Sequence, residues 1–167
     1  MNNSSRLKHR RRAEGKTNYK VRYALLKSLK TRLVIRRSSK NIIVQFVEYN
    51  EAGDKTLVLA NSKQLVKLGW KSGLGNLPAS YLTGLLAGIR AKGKVESVVL
   101  DLGSQVSIKG SRIYAALKGV IDAGVDVPYS EDVLPSEERI SGKHIEDYTK
   151  KQIVSNFEEV KKKIMSE

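Results

Sequence analysis

The stretch from Thr31 to Asn61 constrains the fold more than any other part of the chain. Three runs rich in Val, Ile and Leu, at 32–36, 42–49 and 56–60, are separated by short polar connections, which is the pattern of three consecutive strands. The first connection, 37–41, carries Arg37 and Lys40 and no acid; the second contains Gly53-Asp54 and has hairpin length. Along the middle run, Ile42, Val44 and Phe46 alternate with Ile43, Val47 and Tyr49, so both faces are largely apolar. Such a strand predicts an interior position with helices on each face of the sheet, a three-layer α/β domain.

The flanking segments extend this reading. Thr17-Asn18 offers an N-cap, and Val21, Leu25 and Leu29 recur at helical spacing, predicting an amphipathic helix with one apolar edge toward the sheet. After the meander, Ser62 starts a short helix ended by Gly69, and Gly73-Leu74-Gly75 forms a tight turn anchored by Trp70. That turn lacks the preceding strand and third glycine of a dinucleotide loop. A helix is predicted over 79–92, with Gly84 and Gly88 letting it lie close to the sheet, then a buried strand over 95–102. Ser111 caps a second long helix, Val125-Asp126-Val127 forms a short fifth strand stopped by Pro128, and a final helix runs over 145–164.

Charge is distributed unevenly. The 167 residues carry a formal charge of +14, with 40% hydrophobic residues and no cysteine. Residues 1–37 hold thirteen Lys and Arg against one acid, Glu14, whereas residues 131–167 hold seven against nine acids. The composition suits one globular domain with extensions: a basic arm over 1–16, an α/β domain over 17–128, and an acidic linker with a helix over 129–167. An excess of this kind points to a polyanion, nucleic acid first and an anionic membrane surface second. The apolar edge near Val21 is narrow for membrane attachment, and no run approaches the length of a membrane span. Without cysteine, and with His9 and His144 lacking spaced partners, no metal or cofactor is expected. Asp101 is the one suggestive acid. A two-metal nuclease needs several converging carboxylates, so Asp101 reads instead as a loop-capping or helix-N-terminus partner.

Several motifs in collinear order then resemble one family. The run Arg-Leu-Val-Ile-Arg-Arg-Ser-Ser-Lys-Asn-Ile-Ile-Val-Gln (32–45) resembles the signature of large-subunit ribosomal protein family number eighteen, the 5S-rRNA-binding protein. Residues 69–88 (Gly-Trp-Lys-Ser-Gly-Leu-Gly-Asn-Leu-Pro and onward), 99–103, 109–119 and 135–145 are similar to its archaeal and eukaryotic branch. Gln105-Val106-Ser107-Ile108 departs from the Arg-Pro turn more usual there.

The resemblance implies a ribonuclease-H-like mixed sheet of five strands in the order 3-2-1-4-5, used without catalytic acids. It implies a structural, non-enzymatic protein of the cytoplasmic ribosome that attaches 5S rRNA to the large-subunit rRNA in the central protuberance, beside neighbouring large-subunit proteins. No membrane and no small-molecule substrate is implied. The RNA-facing positions it implies are Arg10, Arg11, Arg12, Lys16, Asn18, Tyr19 and Arg22 in the arm and first helix, and Arg36, Arg37, Ser38, Ser39, Lys40 and Asn41 at the first turn. Lys71, Asn76, Lys109 and Arg112 complete the set. The alternative that the fold leaves open is an RNA-processing nuclease. Cations and hydroxyls directed at phosphate and ribose are what recognition of folded RNA requires, because the deep groove hides base edges.

Overall fold

The computed structural model describes residues 9–150 and 152–166. The first half of the basic arm therefore lies outside the described residues; the remainder begins with a single helical turn, α1 (Arg10–Ala13). Helix α2 (Tyr19–Leu26) starts where expected, because Asn18 Oδ1 accepts hydrogen bonds from the backbone N–H of Lys20 and Val21. Its apolar edge is weaker than its spacing predicts: Leu25 and Leu26 are half-buried, while Val21 and Leu29 are exposed.

The meander forms as β1 (Thr31–Arg37), β2 (Ile42–Glu48) and β3 (Lys55–Asn61), paired antiparallel in sequence. β4 (Val98–Asp101) adds to β1 in parallel, giving a four-stranded mixed sheet in the order β3-β2-β1-β4. This corrects the expectation of five strands. Asp126 forms only an isolated parallel bridge with Ser97, through the Val98 N–H donating to the Asp126 carbonyl, and Pro128 has no N–H with which to extend it.

One face of the sheet is the core. Leu33, Ile35, Ile42, Val44, Phe46, Val58 and Ala60 pack there against α3 (Leu77–Ala91) and α4 (Arg112–Asp122). Full burial of each large side chain contributes about 1.5–3 kcal/mol. The other face carries Arg32, Val34, Arg36, Gln45 and Val47, overlain in part by the segment containing Arg11, Lys16 and Val21. Helical cover equal on both faces is thus not what forms. The inward-facing alternation is fully apolar, whereas the opposite alternation is interrupted by Arg32, Arg36 and Gln45.

The paired glycines do different work from that expected. A Cβ on Gly84 would overlap the Ala116 carbonyl, and one on Gly88 would come within 2.5 Å of the Ala123 Cβ at the end of α4. They let α3 approach α4, not the sheet. Ser111 precedes α4, but its hydroxyl makes no capping bond and is buried without a partner.

The C-terminal helix is also divided. After α5 (Glu137–Ser141), α6 (Lys143–Thr149) ends at Lys150, whose φ of 53° is left-handed, and α7 (Ile153–Met165) begins afresh. Glu146 drives the restart, because its Oε2 accepts from the N–H groups of Ile153 and Val154 at 2.9 and 2.8 Å. Ile153, Phe157, Val160 and Ile164 are buried, with the Phe157 ring 5.6 Å from that of Tyr81 on α3. The α7 part of the apolar stripe is thus covered by this domain, whereas Tyr148 on α6 is exposed.

Close helix packing through Gly84 makes a direct test available. Gly84→Ala should destabilise the protein by about 1–3 kcal/mol through overpacking, lowering the midpoint of thermal unfolding by roughly 2–4 °C per kcal/mol at this size. An unchanged midpoint would contradict the close α3–α4 approach described.

Candidate nucleic-acid interface

Because β1 and β4 run parallel, their C-terminal ends meet at one edge of the sheet. That edge also receives the β1–β2 turn, the N-terminus of α3 and the N-terminus of α4. The cations there divide into two classes: those locked into the fold and those left on its surface.

The locked class forms a chain of alternating charge. Arg22 Nη2 donates to both oxygens of Asp54 at 2.9 Å. Asp54 also accepts from Arg32 Nη2 at 2.6 Å, and Arg32 Nη1 donates to Asp101 at 2.9 Å. Arg36 continues it, donating to the Asp101 carboxylate at 3.0 Å and to its carbonyl at 2.7 Å. Arg32 is 3% exposed. A buried guanidinium is tolerated because two carboxylates compensate it. Burial pushes the Asp54 carboxyl up, but hydrogen bonds from Arg22 and Arg32, with their charges, outweigh this and hold it below the usual carboxylate range. Asp101 also accepts from the Gly103 N–H at 2.8 Å, so it does cap the loop after β4.

The second assembly joins two loops. Ser38 shapes the β1–β2 turn: its hydroxyl donates to the Asn41 carbonyl and accepts from the Asn41 N–H. The 71–76 loop folds through Trp70 Nε1, which donates to the Gly73 carbonyl at 3.1 Å, and Asn76 caps α3 by accepting from the Ala79 N–H. Gly75 then lies so near the turn that a Cβ would come within 2.9 Å of the Ser39 carbonyl. Arg112 ties the two together, donating to the Gly75 carbonyl at 2.7 Å and the Ser38 carbonyl at 3.4 Å. Ser39, Lys40 and Asn41 thereby line one open groove with residues 72–76 and Lys63.

Among the expected site residues, Arg10, Arg11, Arg12 and Lys16 are exposed on or after α1; Arg11 donates to Thr17, and Lys16 and Arg10 pair with Glu14. Tyr19 is part-exposed, its ring 5.2 Å from His9. Arg37, Ser39, Lys40 and Lys71 are exposed at the edge, while Lys109, also exposed, lies 3.9 Å from Asp132. Arg22, Arg36 and Arg112 are held by carboxylates or carbonyls, and Asn18, Ser38 and Asn76 cap or shape backbone. These six build the surface that the exposed cations occupy. Lys63 is brought to the groove by the pairing of Asn61 with Ile43, a register that periodicity alone does not supply. Tyr23, 64% exposed with the Lys27 ammonium 4.9 Å from its ring centre, is a further outward aromatic on the face of α2 that carries Tyr19. Its place four residues after Tyr19 is the signal by which the sequence could have shown it.

The chain is similar to known proteins along most of its length. Residues 4–98 match the family model described as ribosomal large subunit proteins 60S L5 and 50S L18. The large ribosomal subunit protein uL18 of Korarchaeum cryptofilum is 54% identical over 147 residues, covering 87% of this chain and 75% of that protein. Its counterpart in Methanothrix thermoacetophila is 49% identical over 162 residues, covering 96% and 95%. That of Methanothermobacter thermautotrophicus is 50% identical over 144 residues, covering 86% and 75%.

The charge chain has a defined pH signature. Since the folded Asp54 carboxyl titrates below its ordinary value, its stabilisation is fully present above about pH 4 and is lost as pH falls through the lower folded value. Asp54→Asn should reduce stability at neutral pH by about 1.5–3 kcal/mol and give a shallower decline on acidification, measured by urea unfolding between pH 2.5 and 7. An acid decline as steep as in the parent would contradict the role given to Asp54.

Proposed function

This chain belongs to the family of large ribosomal subunit protein uL18, and from that premise we propose that it binds 5S rRNA and holds it against the large-subunit rRNA in the central protuberance. It is a structural constituent of the large subunit and not an enzyme. Its partners are rRNA and other ribosomal proteins.

The observation that carries the finer reading is the Arg112-bound platform. A turn presenting Arg37, Ser39 and Lys40 is fixed at both ends by paired strands and braced from below against the 71–76 loop. Rigid cations of this kind make geometry-dependent bonds to phosphate and ribose, which is how a folded RNA is distinguished by shape. Residues 17–128 supply this platform. The arm, with Arg10, Arg11 and Arg12, adds electrostatic affinity less sensitive to RNA shape, and α5 and α7 brace α3 from behind. In this reading Lys71 and Lys63 flank the groove, Tyr19 lies beside the arm, and Arg22, Arg36, Asn18, Ser38, Asn41, Asn76 and Arg112 act by setting the geometry. Lys109, facing Asp132 across an exposed loop, stands at the margin.

The variant that tests the platform is Arg37→Ala with Lys40→Ala, since neither side chain joins the charge chain. Relative to an unrelated RNA of similar length, its affinity for 5S rRNA should fall by about 1–3 kcal/mol for each oriented cation–RNA bond removed. Replacing Arg10, Arg11 and Arg12 by Ala should weaken both RNAs together and reduce the log–log salt slope by roughly 0.7–0.9 per neutralised phosphate. Filter binding at several salt concentrations measures both. A turn variant that keeps the parent's preference for 5S rRNA would remove the platform as the specificity element.

A further inference from the structure

Helix α7 packs on α3 through its apolar stripe, but its polar side chains reach a different element, the start of the 71–76 loop. Gly69, with a φ of 98°, turns the chain out of the short helix over Ser62–Val66, and the Trp70 N–H returns to the Leu65 carbonyl at 2.9 Å. At this turn Asn156 uses both ends of its amide on backbone. Its Nδ2 donates to the Gly69 carbonyl at 3.0 Å, and its Oδ1 accepts from the Lys71 N–H at 3.1 Å. Lys163, about two turns further along α7, donates to the Leu68 carbonyl at 3.1 Å. Gly69 and Lys71 lie 87 and 85 positions from Asn156, so residue pattern does not reveal the contact.

The Gly69 carbonyl and the Lys71 N–H belong to the two peptide planes that flank Trp70. Asn156 therefore holds both planes at once, and between them only φ and ψ of Trp70 are soft. The Trp70 ring is 3% exposed and its Nε1 donates to the Gly73 carbonyl, so this residue is fixed from the core side as well. Lys71 follows directly and is exposed, and its direction of exit from the backbone is set by these bonds. Asn156 is itself placed by Ile153, Phe157 and Val160, which are buried on the same helix. Arg112 holds the far end of the loop at Gly75, so the segment is clamped at both ends.

We infer that Asn156 is a positioning residue for RNA recognition: by holding the peptides on either side of Trp70, it sets the direction in which Lys71 presents its ammonium. The inference rests on the reading above, in which this edge binds RNA. Helix α7 then adds to affinity without touching RNA, because a loop already held in place loses less entropy on binding.

The experiment compares four proteins: the parent, Asn156→Ala, Lys71→Ala and the double variant. Alanine at 156 retains α7, being the strongest helix former at a position that is only half-buried. In free Asn156→Ala, the Lys71 amide should exchange about three- to tenfold faster. The Ala79 amide, bound to Asn76, should be unchanged. Affinity for 5S rRNA should fall by about three- to tenfold on Asn156→Ala when Lys71 is present, and by about twofold or less when Lys71 is already Ala, as expected of residues acting through one contact. An Asn156 that only stabilised the fold would give no such dependence on Lys71. Additive losses, parent-like affinity of Asn156→Ala, or an unchanged Lys71 amide would each overturn the inference alone. A parent without preference for 5S rRNA over an unrelated RNA would overturn the functional reading, and the inference with it.

Discussion

Arg32 is a guanidinium placed inside a protein, and much of the functional edge depends on how its charge is met. Isolated in a low-dielectric interior it would be untenable. Asp54 approaches from the β2–β3 connection and Asp101 from the end of β4, and each accepts from a second arginine. The result links α2, β1, β4 and the β2–β3 connection by directional bonds. Within it only Arg32 and Asp101 form a buried pair, and removing one partner of such a pair costs about 3–5 kcal/mol, because the remaining charge is stranded. The sheet face opposite the core is therefore organised by charge, not by apolar cover, and the basic N-terminal segment is drawn onto it.

This division explains why the cations at the edge are not equivalent. Arg22, Arg36 and Arg112 each direct their donors to acceptors within the protein, whereas Arg12, Arg37, Lys40 and Lys71 direct theirs outward. A polyanion meeting this edge encounters exposed charge on a backbone already fixed by the first group. Arg112 is the clearest case. By binding carbonyls in both loops, it aligns the turn with the 71–76 segment, and the absence of a Cβ at Gly75 permits their close approach. Such preorganisation lowers the entropy lost on binding.

Much of the framework was legible from residue pattern. Alternation in 31–61 located all three meander strands, the Asn18 cap placed α2, and Trp70 with Gly73 and Gly75 marked a tight loop. Charge asymmetry pointed to the arm and the first turn, and the family resemblance was recovered by comparison. The fifth strand was overread because a short apolar run before proline looks the same whether it forms a ladder or one bridge. The break at Lys150 was hidden because the 3–4 spacing of Ile145, Tyr148, Ile153 and Phe157 continues across it; Glu146 capping the new helix is a tertiary choice. The partners of Arg22 and Arg36 were hidden because sequence shows charge but not what compensates it. Asp54 and Asp101 lie 32 and 65 positions away from them.

The central claim is that RNA is engaged by the edge where β1 and β4 end, with the C-terminal helices serving only as a brace. Backbone amide exchange, compared between free protein and its complex with 5S rRNA, addresses it most directly. Exchange should slow in 10–20, 36–41 and 71–76, and remain unchanged in α6 and α7. Protection concentrated in α6 and α7, with 36–41 unaffected, would contradict it.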